Sequence, residues 1–137
     1  MATLESFNQR GEGKLPGHLG IVFTQVDEHQ VRAEVPVKAH LMAPNGYLHA
    51  GAIVTLADTC CGYGCVASLP AGASGFTTIE LKSNHLGTTL TGTVDCVATP
   101  VHRGRTTQVW DATVTHRESG KTLALFRCTQ MILWPRA

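Results

Sequence analysis

Alternating apolar and polar residues predict that most of the chain forms β-strands. Between residues 31 and 37 the apolar residues occupy every second position, which is typical of a strand with one buried face: Val31, Ala33, Val35 and Val37. The apolar segment 21–26 predicts a strand before it, with a turn over residues 27–30. After a loop and one helical stretch, the two-residue period returns over residues 76–84, 91–100, 106–117 and 122–134. The polar segment 118–121 predicts a hairpin loop between the last two strands.

One helix is predicted over residues 50–68, the only long stretch with an apolar period of 3.6 residues. The residues on that period are Ile53, Leu56, Ala57, Cys60, Cys61 and Gly64. The opposite side is hardly polar either, so we expect the helix to be buried nearly all round. Gly62 and Gly64 each lower the helix propensity by about 1 kcal/mol relative to alanine, and we expect another backbone to pack closely against them. The polar, glycine-rich segment 1–17 is predicted to be an extension or to hold a short helix over residues 3–10.

The order β-β-α-β-β-β-β predicts an α+β fold in which a curled antiparallel sheet wraps around one long central helix. No helix separates the four later strands, so a parallel sheet is excluded. The 137 residues are predicted to form a single domain over the whole chain. One sheet packed on one helix leaves strand edges and a face uncovered, so we expect a second copy of the chain to cover them.

Composition and charge exclude several classes of protein. Hydrophobic residues make up 43% of the chain and charged residues 15%, which is too apolar for a disordered chain. The net charge of +1 provides no basic field, so we predict no nucleic-acid partner. No wholly apolar run approaches the roughly 18–20 residues of a membrane-spanning helix, so no membrane partner is predicted. The first residues show no apolar signal segment, and the cytoplasm is the expected compartment.

The cysteines show no spacing typical of a zinc site; they are Cys60, Cys61, Cys65, Cys96 and Cys128. Cys61 and Cys65 would share one helix face, but two further ligands are missing nearby. We therefore predict small buried thiols in a reducing compartment, and no metal site.

Asp58 is the first candidate for chemistry, because it lies well inside the apolar helix, too far from its start to act as an N-cap. The adjacent residues supply no cation, and an unpaired buried carboxylate is costly and has a raised pKa. A carboxylate on a solvated stripe is the alternative, but only Thr55, Thr59 and Gly62 would form such a stripe. We therefore interpret Asp58 as a functional carboxylate in a cleft.

The segment His49-Ala50-Gly51 stands where a loop becomes this helix, and Pro44-Asn45-Gly46 before it predicts a turn. Free N–H groups at a helix start, together with the helix dipole, can hold a developing oxyanion. A plain helix start with a structural histidine explains the same residues equally well.

Two further features lie outside the helix. Arg103 and Arg105 flank Gly104 in a predicted turn between strands, where two guanidinium groups can bind phosphate. A solvated hairpin tip is the commoner explanation of such a turn. His85 follows the strand over residues 76–84, and a lone histidine there is more often structural than catalytic.

Together these segments resemble the hotdog-fold acyl-CoA thioesterases, and within them the phenylacetate-pathway and Arthrobacter-type 4-hydroxybenzoyl-CoA branch. The family motif is a glycine, two residues, His-Gly-Gly, and an acidic residue seven positions later; it is similar to Gly46-Tyr47-Leu48-His49-Ala50-Gly51 followed by Asp58. The segments His18-Leu19-Gly20-Ile21, Thr78-Ile79-Glu80-Leu81 and 104–110 match as well, so the similarity extends from about residue 18 to residue 133.

The resemblance implies an enzyme that hydrolyses an acyl-CoA thioester to free acid and CoA, without a metal or cofactor. It implies that Asp58 is the nucleophile or the general base, that the Ala50 N–H polarises the carbonyl, and that His49 orients that loop or touches the thioester. The other positions that it implies are Thr78, which holds the water, and the substrate-binding residues Asn45, Gly51, Gly62, His85, Arg103 and Arg105. It also implies a site shared across a homodimer, with a homotetramer as the expected assembly.

Three positions depart from the family pattern. Ala43 replaces the usual Asn or Gln six residues before the histidine, and Asn45 is the candidate substitute. Ala50 replaces a glycine, and Gly62 stands where some relatives carry Ser or Thr. These changes bear on the acyl preference, for which an aromatic or medium-chain group is expected. The alternatives are a hotdog hydratase or dehydratase, with His40 or His49 as its base, and a non-catalytic acyl-CoA-binding or sensor module.

Overall fold

A computed structural model describes residues 2–136. The strands are β1 (Val22–Val26), β2 (Val31–Pro36), β3 (Gly75–His85), β4 (Thr93–Arg103), β5 (Thr107–His116) and β6 (Thr122–Leu133). The helices are α1 (Leu4–Arg10), α2 (Leu15–Leu19) and α3 (Ala50–Ala67), and a short 3-10 helix spans Ala39–Leu41. The predicted strands and the long helix are confirmed, with ends that differ by up to three residues.

The six strands form one sheet in the order β1-β2-β4-β5-β6-β3. Every neighbouring pair is antiparallel. The predicted α+β architecture, an antiparallel sheet with one long central helix, is confirmed. Because β3 follows α3 in the chain but pairs with the last strand, β1 and β3 become the two edges of the sheet.

The core lies between α3 and the inner face of the sheet. The helix residues buried there are Ile53, Leu56, Ala57, Cys60, Cys61 and Cys65. Alternate residues of the central strands face them, among them Cys96, Trp110, Ala112, Phe126 and Cys128. All five cysteines are buried and free, as predicted. Each large apolar side chain in this layer stabilises the fold by about 1.5–3 kcal/mol.

The side of α3 that faces away from the sheet is only half-buried in the single chain, so the prediction of burial nearly all round holds for the sheet side alone. Thr55, Thr59 and Val66 lie on this open side. The helix is long and apolar enough to cross a membrane by length and composition, with mean hydropathy 1.3 over 18 residues. Half of it is buried in the fold, as in the core helix of a globular domain.

The two helix glycines make room for aromatic rings. A Cβ atom at Gly64 would overlap the indole of Trp110, and one at Gly62 would lie 3.1 Å from the ring of Phe76. The expectation that another backbone approaches these glycines is therefore wrong. Close packing is the reason for both glycines, but the neighbours are side chains of the facing strands β5 and β3.

The N-terminal segment packs beside β1 and the adjacent flank of α3. α1 begins with a capping box, in which Thr3 and Ser6 satisfy each other's backbone N–H groups. Its buried Phe7 contacts Tyr63 of α3, with the ring centroids 5.2 Å apart. The sequence does not predict α2, because Pro16 and Gly17 are poor helix formers. Pro16 is tolerated there because it stands in the first turn, where its missing N–H needs no partner.

Edge strand β3 is open to solvent over most of its length. Ile79 and Leu81 are 54% and 42% exposed. The pairing with β6 shifts register between Thr78 and Glu80, so Ile79 forms a bulge. An exposed edge with apolar side chains invites pairing with another strand.

Candidate active site

The loop before α3 holds the helix start in a fixed position. The predicted turn at Pro44-Asn45-Gly46 is present, and Gly46 adopts a positive φ of 89°. The N–H of Gly46 donates to the Ala43 carbonyl, and the Asn45 side chain accepts from the N–H of Tyr47 at 3.1 Å. Asn45 is therefore engaged within its own turn.

His49 caps α3 through its side chain. Its Nδ1 atom accepts a hydrogen bond from the N–H of Gly51 at 2.7 Å, so the neutral ring carries its proton on Nε2. The N–H of Ala50 has no acceptor among residues 2–136. This N–H stands at the positive end of the helix dipole and is free to donate to a ligand oxygen.

A small cavity of about 220 Å³ opens beside this helix start, between α2 and the first turn of α3. His40, Met42, His49, Gly51 and Thr55 are among the residues that line it. The backbone carbonyl of His18 lies 3.0 Å from Nε2 of His40, which fixes the outer wall. The cavity thus reaches His49 and Gly51, the two residues on either side of Ala50.

Asp58 lies two turns into α3, half-buried, with one carboxylate oxygen that is fully buried. This Oδ1 atom has no hydrogen-bond partner in the part of the chain that the structure describes. Burial raises the pKa of Asp58 above its ordinary value, as predicted. The nearby Asp58 charge also contributes to raising the pKa of the Cys61 thiol. A half-buried carboxylate of this kind is a candidate base or nucleophile.

Asp58 and the Ala50 N–H of one chain do not meet. At roughly 1.5 Å rise per residue they are about 12 Å apart along the helix axis. A thioester carbon and its carbonyl oxygen are bonded to each other, so one substrate cannot contact both groups of the same helix. A single chain therefore holds the two halves of a candidate site but not a complete one.

Thr78 and His85 lie on the inner face of edge strand β3. Thr78 is directly opposite the buried Gln130 of β6, and His85 is opposite the buried Ala124. Regular alternation would place Thr78 and His85 on opposite faces. The bulge at Ile79 shifts the alternation by one residue, so both face the layer that contains α3. Gly62 is buried in the same layer, against Phe76 of β3.

Arg103 and Arg105 lie at the other end of the molecule from the helix start. Together with Glu28, Ser68, Pro70 and Gln108 they line a cleft of about 570 Å³. Arg103 donates to the Glu28 carbonyl at 2.9 Å, and the Arg105 guanidinium stacks on Trp134, 4.6 Å from the ring centroid. Ser68 is the C-cap of α3, and Ala50 lies at its opposite end, about 27 Å away at the usual rise per residue.

The sequence-based reasoning missed three buried polar residues on the inner face of the sheet. Gln108 and Gln130 are fully buried, and the buried Oγ of Ser83 has no partner among residues 2–136. Each glutamine takes an inward position in the alternation of its strand, and this is the signal that identifies it. No three His, Cys, Asp or Glu side chains are arranged to hold a metal ion within residues 2–136.

Comparison with known proteins shows which family the chain resembles. The model of the thioesterase superfamily matches residues 45–123, more than half of the chain, from the Asn45 turn to β6. The matched segment contains the helix start, Asp58 and the inner face of β3. Thus the match covers the candidate site itself.

Two relatives are similar over nearly their whole length. The 1,4-dihydroxy-2-naphthoyl-CoA hydrolase of Escherichia coli (strain K12) is 34% identical over 134 residues, which cover 96% of this chain and 95% of that protein. The proofreading thioesterase EntH of Cronobacter sakazakii is 32% identical over 133 residues, which cover 96% of this chain and 94% of that protein.

Solved structures support the same family. A mutant thioesterase from Pseudomonas aeruginosa has a TM-score of 0.90 at 31% identity, and covers 97% of this chain and 95% of that one. A thioesterase from Haemophilus influenzae has a TM-score of 0.89 at 32% identity, and the alignment covers 97% of this chain and 92% of that one. The predicted resemblance is confirmed: the chain belongs to the hotdog-fold thioesterase superfamily and is a thioester hydrolase.

Proposed function

We propose that the chain hydrolyses an acyl-CoA thioester at a site formed by Asp58 of one copy and by His49 and Ala50 of another. The observation that carries this proposal is the buried, unpartnered carboxylate oxygen of Asp58. A protein gains no stability from such a group, so its presence is best explained by chemistry on a ligand.

In the proposed reaction the thioester carbonyl oxygen accepts a hydrogen bond from the free Ala50 N–H. This donor stabilises the negative charge that develops on the oxygen when the carbonyl carbon is attacked. As a general base, Asp58 takes a proton from the attacking water; CoA then leaves as the thiolate and is protonated. As a nucleophile, Asp58 attacks the carbonyl carbon and expels CoA as the thiolate, which is protonated, and water then hydrolyses the resulting anhydride. Turnover in ¹⁸O water tests for the anhydride, because ¹⁸O enters the Asp58 carboxylate only if the anhydride forms and water attacks its aspartyl carbon.

Thr78 and His85 complete the proposed site from the inner face of β3. Thr78 is exposed in the single chain and offers a hydroxyl that can hold the attacking water. His85 is assigned to the acyl group, and Gly51 and Gly62 to close contact of the substrate with α3. Since Asn45 binds its own turn, it contacts the thioester only if that turn opens.

For the substrate we propose an aromatic or medium-chain acyl-CoA. The similarity to the 1,4-dihydroxy-2-naphthoyl-CoA hydrolase of Escherichia coli supports an aromatic group. Arg105 and Arg103 are assigned to the CoA phosphates, because guanidinium groups form charge-assisted bonds to phosphate. An Arg105→Gln variant is then expected to raise KM for the CoA thioester but not for the thioester of pantetheine, which lacks these phosphates.

For the assembly we propose a homodimer through the open edge of β3, paired further into a homotetramer, in the cytoplasm. The exposed apolar side chains of Ile79 and Leu81 support association through this edge. The separation of Asp58 from Ala50 supports a site shared between two chains. Free, buried cysteines are in keeping with a reducing compartment.

The test uses two variants that each damage a different half of the site. Asp58→Asn removes the carboxylate. Ala50→Pro removes the N–H donor, and proline is well tolerated at the first helical position. His49 has φ −67° and ψ 134°, which is the extended conformation that a residue before proline requires.

Each variant alone is expected to lose turnover of an acyl-CoA panel, by about 10²–10³-fold for the lost N–H donor. Co-refolding equal amounts should restore about a quarter of wild-type turnover, since half of the dimers are mixed and each holds one intact site of two. No restoration would reject the shared site. Full turnover by Asp58→Asn would reject the assignment of the reaction to Asp58.

A further inference from the structure

Thr89 is the buried residue of the loop that joins β3 to β4, residues 86–92. It is 9% exposed, whereas Leu86 and Leu90 of the same loop are more than half exposed. A loop that buries a threonine and exposes two leucines reverses the ordinary preference of these side chains. The burial of Thr89 therefore needs a reason other than the hydrophobic effect, and its hydrogen bonds supply one.

The Thr89 hydroxyl bonds to the backbone of its own loop. It donates to the Thr91 carbonyl at 2.8 Å and accepts from the Thr91 N–H at 3.3 Å. Such bonds from a side chain to nearby backbone fix the shape of a segment that has no regular ladder of its own. Valine has nearly the same shape as threonine but no hydroxyl, so it would lose both bonds.

The loop also holds Leu48, two residues before Ala50. The Thr89 carbonyl accepts from the Leu48 N–H at 3.0 Å, and the Thr88 hydroxyl donates to the Leu48 carbonyl at 3.3 Å. On its other side Leu48 forms an antiparallel bridge with Met42. The chain that enters α3 is therefore held between two segments, and one of them is the loop of Thr89.

His116, at the end of β5, ties this loop to the sheet. Its Nε2 atom lies 2.9 Å from the Thr91 carbonyl, which can only accept, so Nε2 carries the proton. Its Nδ1 atom lies 2.7 Å from the Ser119 hydroxyl, which donates to the neutral ring. A Cβ atom at Gly92 would overlap the His116 ring, so only glycine fits beside it. The sheet thus determines where Thr91 lies, and through Thr91 it determines the shape of the loop.

We infer that Thr89 is a positioning residue, which fixes the Ala50 N–H for the reaction by holding Leu48. This inference rests on the proposed function, in which that N–H stabilises the developing oxyanion. A donor of this kind acts only if it is aimed at the place that the oxyanion will occupy. A displacement of about 1 Å can cost up to about 10²-fold in rate, so the anchor of the segment before the donor affects turnover.

The first measurement is the turnover of the best substrate of the acyl-CoA panel by two variants of Thr89. Thr89→Val should lower kcat by about ten-fold with little change in KM, because a displaced donor weakens the transition state more than the bound substrate. Thr89→Ser keeps the hydroxyl and should restore most of the rate. The matched control is Thr3→Val, which removes the hydroxyl that caps α1 and should keep the wild-type kcat.

A double-mutant cycle with Ala50→Pro separates positioning from a general loss of structure. Ala50→Pro already lacks the N–H, so adding Thr89→Val should then change kcat by a factor of about one. A general structural defect would lower kcat by the same factor in both backgrounds. Equal factors in the two backgrounds, or a wild-type kcat for Thr89→Val, would overturn the inference.

The support from β5 is tested in the same cycle. His116→Phe keeps a ring but removes the bond to the Thr91 carbonyl. It should lower kcat as Thr89→Val does, and again only where Ala50 retains its N–H. An effect of equal size in the Ala50→Pro background would show that His116 does not act through this loop.

Amide hydrogen exchange supplies a readout that needs no turnover. Thr89→Val should speed the exchange of the Leu48 N–H, which donates to the Thr89 carbonyl, whereas Thr3→Val should not. Unchanged protection of this N–H in Thr89→Val would reject the inference. Failure of the proposed function shows differently, as no turnover of any thioester by wild type or as full turnover by Ala50→Pro. In that event the exchange of the Leu48 N–H decides whether Thr89 holds the start of α3.

Discussion

The Nδ1 atom of His49 and the backbone N–H of Gly51 are joined by a 2.7 Å hydrogen bond that caps α3. The bond takes up the N–H of Gly51 and turns Nε2 of the ring outward, while the N–H of Ala50 stays free within residues 2–136. A capping side chain thus selects which N–H of the first turn can meet a substrate oxygen. It also fixes the tautomer of the histidine that stands beside that N–H.

Substitutions of His49 should separate these two roles. His49→Ala should lower the free energy of unfolding by about 1 kcal/mol, because an alanine cannot accept the Gly51 N–H. His49→Asn should retain most of the stability, because asparagine is a favourable N-cap. Chemical denaturation measures both, and equal unfolding midpoints of His49→Ala and wild type would contradict the capping role.

Turnover of the same two variants tests the Nε2–H. Neither side chain offers a donor at that position, so both should lose turnover on a common acyl-CoA. A His49→Asn variant with wild-type turnover would show that His49 acts only as the cap.

Asp58→Asn should raise stability and lower activity at neutral pH. The pKa of Asp58 is raised by burial, so the folded state holds the proton more tightly than the unfolded chain. As pH rises through the range between the unfolded and folded pKa values, wild type therefore loses stability relative to Asp58→Asn. The two unfolding midpoints should differ most above the folded pKa and should converge at acid pH, below the ordinary value of 3.8.

The pH profile of the wild-type reaction provides the complementary measurement. Since both proposed mechanisms need the ionised carboxylate, kcat/KM should fall on the acid side at a pKa above the ordinary value for aspartate. Loss of the carboxylate should cost about 10²–10⁴-fold in kcat. In the unfolding experiment, a difference between the midpoints of wild type and Asp58→Asn that is the same at every pH would contradict a raised pKa of Asp58 in the folded protein.

The sequence predicted the elements that depend on the local period of apolar residues. It missed the features that depend on contacts between the helices and the sheet. The order of strands and helix along the chain and the limits of α3 followed from apolar spacing, because a buried helix and half-buried strands impose different periods on the chain. The short helix α2 did not follow, since its Pro16 and Gly17 argue locally for a loop. Only packing against the rest of the domain outweighs those propensities.

For the candidate site the same division applies. Asp58 stood out in the sequence because a carboxylate interrupts an apolar helix without a cation nearby. The burial of Gln130 was missed, since a glutamine in a strand is ordinarily on the solvent side, although the alternation of β6 assigns it to the inner face. Likewise the distance between Asp58 and Ala50 emerges from helix geometry rather than from the motif that contains both residues.

Gly64 should not tolerate a methyl group. A Cβ atom there would overlap the indole ring of Trp110, which is completely buried. Gly64→Ala gains helix propensity but should still lower the free energy of unfolding, by about 1–3 kcal/mol through overpacking. The matched control is Gly75→Ala, where an added Cβ has no atom within 4 Å. Thermal unfolding that ranks Gly64→Ala at or above wild type would show that Trp110 can move aside.

Assembly through the β3 edge should fail in Ile79→Lys. Ile79 is 54% exposed at the bulge of this edge strand, and a lysine there places a charge where a second strand would pair. Val22→Lys is the matched control, because Val22 is 49% exposed on β1, the opposite edge. Sedimentation velocity should show monomers for Ile79→Lys at protein concentrations where Val22→Lys remains associated.

The activity of Ile79→Lys then tests whether association and catalysis are coupled. Since a monomer holds Asp58 about 12 Å along the helix from its own Ala50, the specific activity should be low in dilute solution and should rise with protein concentration as dimers form. A defect that is independent of concentration would assign the loss to local disturbance of the adjacent Thr78. Full activity of a sedimenting monomer would show instead that one chain suffices, and the shared site would have to be abandoned.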